Sequence, residues 1–320
     1  MKKLLALGVA VLVLLGVGLW FIQGWNGAGP AAQPTPVVIA PGSSMVKAAR
    51  TLEGAGVIAS AERFVFQAKL FGGGTIKAGE YEFPARASHS QVLSILQSGK
   101  SLQRMVTVPE GMPSVLVHER LMKAEGLTGE VPVPEEGSVL PDSYSYQRGE
   151  SRAAVLARMQ AAMTRTLDSL WPKKGPHSVV TDKREAVILA SIVEKETGKA
   201  SERPMIAGVY SNRVRIGMKL DADPTVIYPV TKGRPLGRRI LLSELRANNG
   251  YNTYAMAGLP AGPIANPGKE SIAAVLNPAQ TPALYFVADG TGGHIFANTL
   301  PEHNANVQKW YALRRARGEM

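Results

Sequence analysis

The first pattern along the chain is an apolar run, Leu4–Ile22, nineteen residues without a charge. A helix rises about 1.5 Å per residue, so the run covers roughly 28 Å, close to the hydrocarbon thickness of a bilayer. Lys2 and Lys3 precede it and the next basic residue is Lys47, which predicts a single-pass anchor in the cytoplasmic (inner) membrane, with residues 1–3 inside and the bulk of the chain outside. Trp20 and Trp25 suit an interfacial aromatic belt at the outer end. Small residues from Ala28 to Ala32 leave a cleaved signal peptide as the competing reading, although the run exceeds the roughly 7–15 apolar residues of a signal peptide. Residues 23–36 carry no charge and hold Gly24, Gly27, Gly29, Pro30, Pro34 and Pro36, the composition of a flexible linker.

Beyond the linker the periodicity changes repeatedly. Val37–Ile39 reads as a strand, followed by a turn at Pro41 and Gly42 and a helix capped by Ser43 or Ser44 that runs to about Gly54. A second helix spans Ala61–Phe71 and stops at Gly72–Gly74. Alternation from Ile76 to Phe83 predicts a strand, and helical spacing returns from Ser90 to Gln97. Residues 37–103 therefore form one small α+β module. Val106–Val108, the turn Pro109–Gly111 and a helix towards Gly126 repeat the strand, turn and helix grammar of the opening; generic βα grammar and duplication both account for it. Gly129–Gly149 is mostly loop, and Arg152–Leu170 is an amphipathic helix with Val155, Leu156, Met159, Met163, Leu167 and Leu170 on one side. Residues 104–320 make a larger α+β domain.

Composition narrows the chemistry. With 320 residues, 45% hydrophobic and 19% charged, the chain has material for a large core, which excludes disorder and disulfide-stapled mini-proteins. The absence of cysteine removes thiol nucleophiles, thiolate zinc sites and iron–sulfur clusters. His89, His118, His177, His294 and His303 are scattered without zinc-site spacing, and no nucleophile elbow or phosphate-binding P-loop is present, so neither metal nor cofactor is expected. A net charge of +11 favours anionic surroundings. The basic clusters Lys232, Arg234, Arg238, Arg239 and Arg314, Arg315, Arg317 are solvated faces or orient the protein beside anionic lipid; the expected compartment disfavours nucleic acid.

The most informative segment is Glu185–Thr197. Ala186 to Val193 is apolar on every side and predicts a buried helix, after which Glu194, Lys195 and Glu196 follow. On a helical wheel Glu196 lies over Leu189, Ile192 and Val193, whereas Glu194 points towards Ala190 and Ser191. A carboxyl on an aliphatic face loses hydration in its charged form, so its pKa rises towards neutrality, as a general acid requires. The alternative is a solvated helix end where both glutamates pair with Lys195, Lys199 or Arg203.

The run Ser191–Thr197, then Ala200–Arg203, Asn212, Arg213, Gly217, Met218, Leu220 and Asp223–Tyr228, resembles the endolytic murein transglycosylase, or YceG-like, family. Tyr251–Tyr254, Gly258–Pro260, Gly262–Ile264 and Asn266–Gly268 resemble its second signature, and Asp289, Gly290, Gly293, His294, Phe296, Thr299, His303 and Asn304 its third. Glu136, Gly137, Leu140, Pro141, Asp142 and Tyr144 resemble a shorter one; Ala261 and Ser143 depart from the family pattern, which bears only on local loop shape. The resemblance implies a LysM-like small module and a catalytic glutamate at the second position of the Glu-Lys-Glu triplet, Glu196. It implies a membrane-anchored enzyme that cuts the β-1,4 bond between MurNAc and GlcNAc in nascent peptidoglycan, leaves 1,6-anhydro ends and terminates strand elongation beside cell-wall synthases.

Asp223 is the candidate second carboxylate, as a catalytic base, with a turn role before Pro224 or a hydrogen bond to substrate as the alternatives. Asn212, Thr225, Asn252 and His294 are candidates to contact sugar acetamido or hydroxyl groups, and Tyr251 and Tyr254 to stack on sugar rings; loop support and core packing are the alternatives. A function of another class also fits the module and the basic patches: a non-catalytic, membrane-tethered peptidoglycan-binding scaffold for cell-wall synthases.

Overall fold

The computed structural model describes Gly16 and residues 23–319. Apart from Gly16, the expected tail 1–3 and anchor 4–22 lie outside the described residues, among which no helix is long and apolar enough to cross a membrane. The architecture is mixed α and β with small sheets. The chain forms two compact units: the first runs to Arg104 and takes in Ser145–Glu150, and the second comprises Met105–Tyr144 and the chain from Ser151 onward.

In the first unit β1 (Thr35–Ile39) pairs antiparallel with β2 (Gly79–Phe83), with Val37 opposite Tyr81. Between them lie α1 (Met45–Gly54) and α2 (Ala61–Phe71), and α3 (His89–Ser98) follows. Each helix begins where a serine accepts a backbone N–H that the helix leaves unpaired: Ser44 from Lys47, Ser60 from Arg63, and Ser88 from Gln91 in a reciprocal capping box. Val37, Ile39, Leu52, Phe64, Tyr81, Phe83 and Leu96 fill the core. Strict alternation predicts Glu80 and Glu82 on one face of β2; Glu80 is buried and Glu82 exposed. The reason is Arg104, whose guanidinium donates to both Glu80 carboxylate oxygens at 3.1 and 3.2 Å and holds that carboxyl below its ordinary pKa.

The segment expected to be a free linker is bonded to this unit instead. Residues 23–26 are helical, Gly29 donates to the Arg86 carbonyl at 3.0 Å, and Arg86 donates to the carbonyl of buried Ala31 at 2.8 Å. A Cβ at Gly29 would stand 2.3 Å from the Ala87 carbonyl oxygen, so its glycine serves close backbone approach, not slack.

β3 (Arg104–Thr107) and β4 (Ser143–Tyr146) form a two-stranded sheet. In the second unit α4 (Ser114–Lys123) is followed by a long loop and by α5 (Arg152–Leu170). Next come α6 (Lys183–Glu196), α7 (Arg203–Arg215), α8 (Asp223–Thr231), the short α9 (Leu242–Arg246) and α10 (Lys269–Leu276). The antiparallel pair β5 (Tyr285–Ala288) and β6 (His294–Ala297) packs against the last helix, α11 (Leu300–Ala316).

α6 is the axis of this unit. Its residues from Ala186 to Val193 are all buried, and α7, α8 and α10 pack around it. Asp182 caps the helix by accepting the Glu185 N–H at 2.8 Å, while Glu185 reaches back to the Thr181 N–H. Leu189 and Ile192 are fully enclosed. Truncating Leu189 to alanine leaves a void that a close-packed interior fills only in part, so unfolding in urea should show a loss of about 2–5 kcal/mol at unchanged m-value.

Candidate active site

The two glutamates at the end of α6 are held differently. Glu194 turns into the protein: its side chain is 4% exposed, it receives an Arg203 guanidinium hydrogen bond at 3.1 Å, and its other oxygen accepts the Gly268 N–H at 2.8 Å. Arg203 also bonds Glu110 at 2.7 Å. The triplet's first glutamate is thus a clasp that ties the end of α6 to the start of α7 and to the loop before α10.

Glu196 faces a cavity of about 400 Å³. Tyr210 and Arg213 of α7, Asp221 and Asp223 around the start of α8, and Tyr254 contribute to its wall. Tyr285 and Phe286 of β5 and His303 of α11 complete the other side. The Glu196 Oε1 atom is sealed from solvent without a hydrogen-bond partner. Burial pushes the carboxyl up to about 7; the Tyr210 hydroxyl opposes this, the negative charge of Asp223 adds to it, and the Arg213 guanidinium opposes it. Desolvation wins because neither opposing group neutralises the carboxylate in full. The site therefore holds a proton that leaves near neutral pH, on a group that faces open space.

Arg213 fixes the surrounding wall. Its side chain donates to the carbonyls of Leu284 at 2.6 Å and Leu220 at 2.8 Å, meets Asp221 at 3.5 Å and lies over the Tyr285 ring at 5.3 Å. His303 stacks on the other partner of that contact, Tyr285, with ring centroids 5.2 Å apart. Burial, with Arg213 nearby, lowers the His303 pKa and favours the neutral ring.

Asp223 is the first residue of α8, but it does not act as a cap: Ala222 occupies that position. Its Oδ1 instead accepts the Tyr254 hydroxyl at 2.7 Å, inside the cavity wall. Glu196, Asp223 and Tyr254 are accordingly the sequence-derived candidates that the fold brings together. The others hold protein groups and do not line the cavity. Asn212 donates to the Thr281 and Ala283 carbonyls at 2.7 and 3.0 Å. Thr225 is fully buried, donates to the Ala222 carbonyl and meets the Thr253 hydroxyl at 2.8 Å. Asn252 donates to the carbonyls of Glu244, Leu245 and Ala247 at the end of α9, where a helix leaves acceptors unpaired. Tyr251 packs on the Tyr228 ring at 5.1 Å, and the His294 Nδ1 is 2.7 Å from Glu202. These five side chains are engaged with groups of the protein itself.

Tyr210, Asp221 and Tyr285 were not singled out from sequence, and Arg213 and His303 entered only as signature positions without a role. Tyr210 and Arg213 stand three apart on one helix face, a signal available in principle. Tyr285 and His303 reach the cavity only because β5 and α11 pack together. Among the described residues no group of three or more His, Asp or Glu side chains is placed to hold a metal ion.

The helical scaffold thus delivers one desolvated carboxyl to a cavity. The YceG-like family pattern matches residues 37–309, and the chain belongs to that family. It is 27% identical over 320 residues to the endolytic murein transglycosylase of Streptococcus pneumoniae D39, covering 85% of this chain and 57% of that protein. It is 32% identical over 181 residues to the endolytic murein transglycosylase of Bacillus subtilis 168, covering 57% of this chain and 49% of that protein. The chain thus spans about half the length of the curated relatives it matches. A crystal structure of a YceG-like protein from Listeria monocytogenes is similar at a TM-score of 0.54 and 27% identity, covering 85% of this chain and 98% of the other.

Two outcomes follow from this geometry. A glutamate whose pKa is raised on folding contributes stability below its unfolded pKa and loses it as pH rises through the folded value. Thermal unfolding of Glu196→Gln should therefore match the parent near pH 4 and exceed it by about 3 kcal/mol at pH 8. Asn252→Ala strands three carbonyls and should cost about 1–3 kcal/mol in denaturant titration.

Proposed function

We propose that this chain is a lytic transglycosylase of peptidoglycan, acting within glycan strands. The observation that carries this reading is Glu196, a carboxyl at the edge of a cavity whose pKa burial raises to about 7. The relatives' names supply the substrate class. In the first half of the reaction the protonated Glu196 gives its proton to the bridging oxygen of the MurNAc–GlcNAc β-1,4 bond, and the C1–O electron pair leaves with that oxygen. In the second half the Glu196 carboxylate takes the proton of the C6 hydroxyl of the same muramic acid while O6 bonds to C1. The product carries a 1,6-anhydro end, no water is consumed, and Glu196 is again protonated. Because nucleophile and electrophile belong to one sugar, proximity replaces a second protein nucleophile.

The apolar run 4–22, with its basic flank at Lys2 and Lys3, supports a membrane anchor with the catalytic unit on the outer side. That location places the cavity beside newly made strands and beside the synthases that extend them, and gives the cut the effect of ending elongation. The small unit, with its strand, two helices and strand, is read as LysM-like and as a contact for the same polymer. A scaffold without catalysis has no use for a desolvated acid facing a cavity.

Purified chain incubated with uncrosslinked glycan strands should yield internal cuts with anhydro ends by mass spectrometry. Glu196→Gln should lower the rate by about 10²–10⁴-fold while leaving sedimentation with the polymer intact. Hydrolysed reducing ends, or undiminished cutting by the variant, would overturn the reading. Since the acid must be protonated for the first step, kcat should be level in weak acid and fall as pH rises past about 7.

A further inference from the structure

We propose that Asp223 is a second catalytic residue: its ionised carboxylate, fixed in the cavity by Tyr254, stabilises the positive charge that develops on the sugar when the glycosidic bond breaks. This rests on the lytic transglycosylase reading above.

The placement of Asp223 has no structural explanation of the usual kind. It stands in the first turn of α8, yet the helix is capped by Ala222 and takes no bond from the Asp223 side chain. Asp223 is exposed to the cavity, and its one hydrogen bond to protein among the described residues is the Tyr254 hydroxyl on Oδ1 at 2.7 Å. Tyr254 is itself held: its N–H donates to the Asn252 Oδ1 at 2.9 Å, its carbonyl accepts the Lys219 ammonium at 2.8 Å, and the Asn252 amide is anchored on the end of α9. A relay of backbone-anchored groups thus aims one oxygen of Asp223 and leaves the other for a ligand.

Departure of the C1–O electron pair leaves C1 and the ring oxygen sharing a positive charge until O6 closes on C1. Asp223 forms no bond in either half and ends with the charge it began with. A fixed carboxylate beside a developing cation is worth more in a partly enclosed cavity than in water. The same charge acts on Glu196 by disfavouring a second carboxylate in the cavity. The other groups facing Glu196 are Tyr210 and Arg213 from α7, Asp221 before α8, Tyr254, and His303 from α11. Arg213 is shared with Asp221 at 3.5 Å, which leaves Asp223 as the anion without a guanidinium partner.

The test compares full-length, detergent-solubilised parent, Asp223→Asn and Tyr254→Phe, each checked for cooperative unfolding. Asp223→Asn should lower kcat about 10- to 100-fold with KM nearly unchanged, and products should keep anhydro ends. Its basic pH limb should move down by about one unit, because the like charge is gone. Tyr254→Phe should give a smaller fall in kcat. Infrared titration of the Glu196 carboxyl without substrate, with Glu196→Gln as blank, should show the same downward shift. An unmoved limb and an unmoved infrared titration would overturn the proposal, as would hydrolysed ends in the parent that vanish in Asp223→Asn and mark Asp223 as a water-activating base. A parent that cuts no glycan would sink the transglycosylase reading and the role of Asp223 with it, whereas a cutting parent without coupling sinks this proposal alone.

Discussion

A carboxyl at the end of an apolar helix must shed water before it can do anything else, and the second unit is organised around that loss. Burying Ala186 to Val193 on every side of α6 requires neighbours all round, which α7, α8 and α10 provide. Their packing encloses the body of the helix, and burial continues past Val193: the Glu194 side chain is 4% exposed, while Glu196 borders the cavity. The unusual proton affinity of Glu196 follows from this burial at the end of the core helix.

The polar groups around the cavity form a second tier. Arg213 binds carbonyls from the stretch before α8 and from the stretch before β5, so one guanidinium sets the spacing of opposite walls. Thr225 and Thr253 join the start of α8 to the loop that carries Tyr254, and Asn252 hangs that loop on α9. Asn266 does the same further out, accepting the Val139 N–H at 3.0 Å and donating to the Met112 carbonyl at 2.9 Å. Loops fixed by buried amides keep their shape without regular structure.

Much of this was legible in the chain and some was not. The helices from Met45 to Leu170 follow the apolar periodicity, and serine caps mark several of their starts, because both signals are local. The apolar helix Lys183–Glu196 and the different orientations of Glu194 and Glu196 follow from the wheel, since neighbours on a helix are fixed by 3.6 residues per turn. The contacts of Asn212, Asn252, Thr225 and His294 were beyond reach: the identity of a polar side chain looks the same whether it bonds a group of its own chain or a sugar. The ring of Tyr285 and His303 was hidden for another reason, as it depends on long-range pairing of a hairpin with the final helix. Residues 23–36 have the composition of slack chain, yet Gly29 and Ala31 are bonded to Arg86, because small residues serve close backbone contact as readily as freedom.

The clasp made by Glu194, Arg203 and Glu110 has a consequence for genetics. The two acids that flank Lys195 in the triplet look interchangeable to a screen that scores only dead alleles, because alanine at either would register as a loss in such an assay. The first would fail because the end of α6 loses its tie to Arg203 and to the Gly268 N–H, leaving Glu110 as the guanidinium's remaining partner in the clasp; the second because no hydrogen is on offer. Abundance in the cell tells them apart, since a loosened interior invites degradation and a missing acid does not.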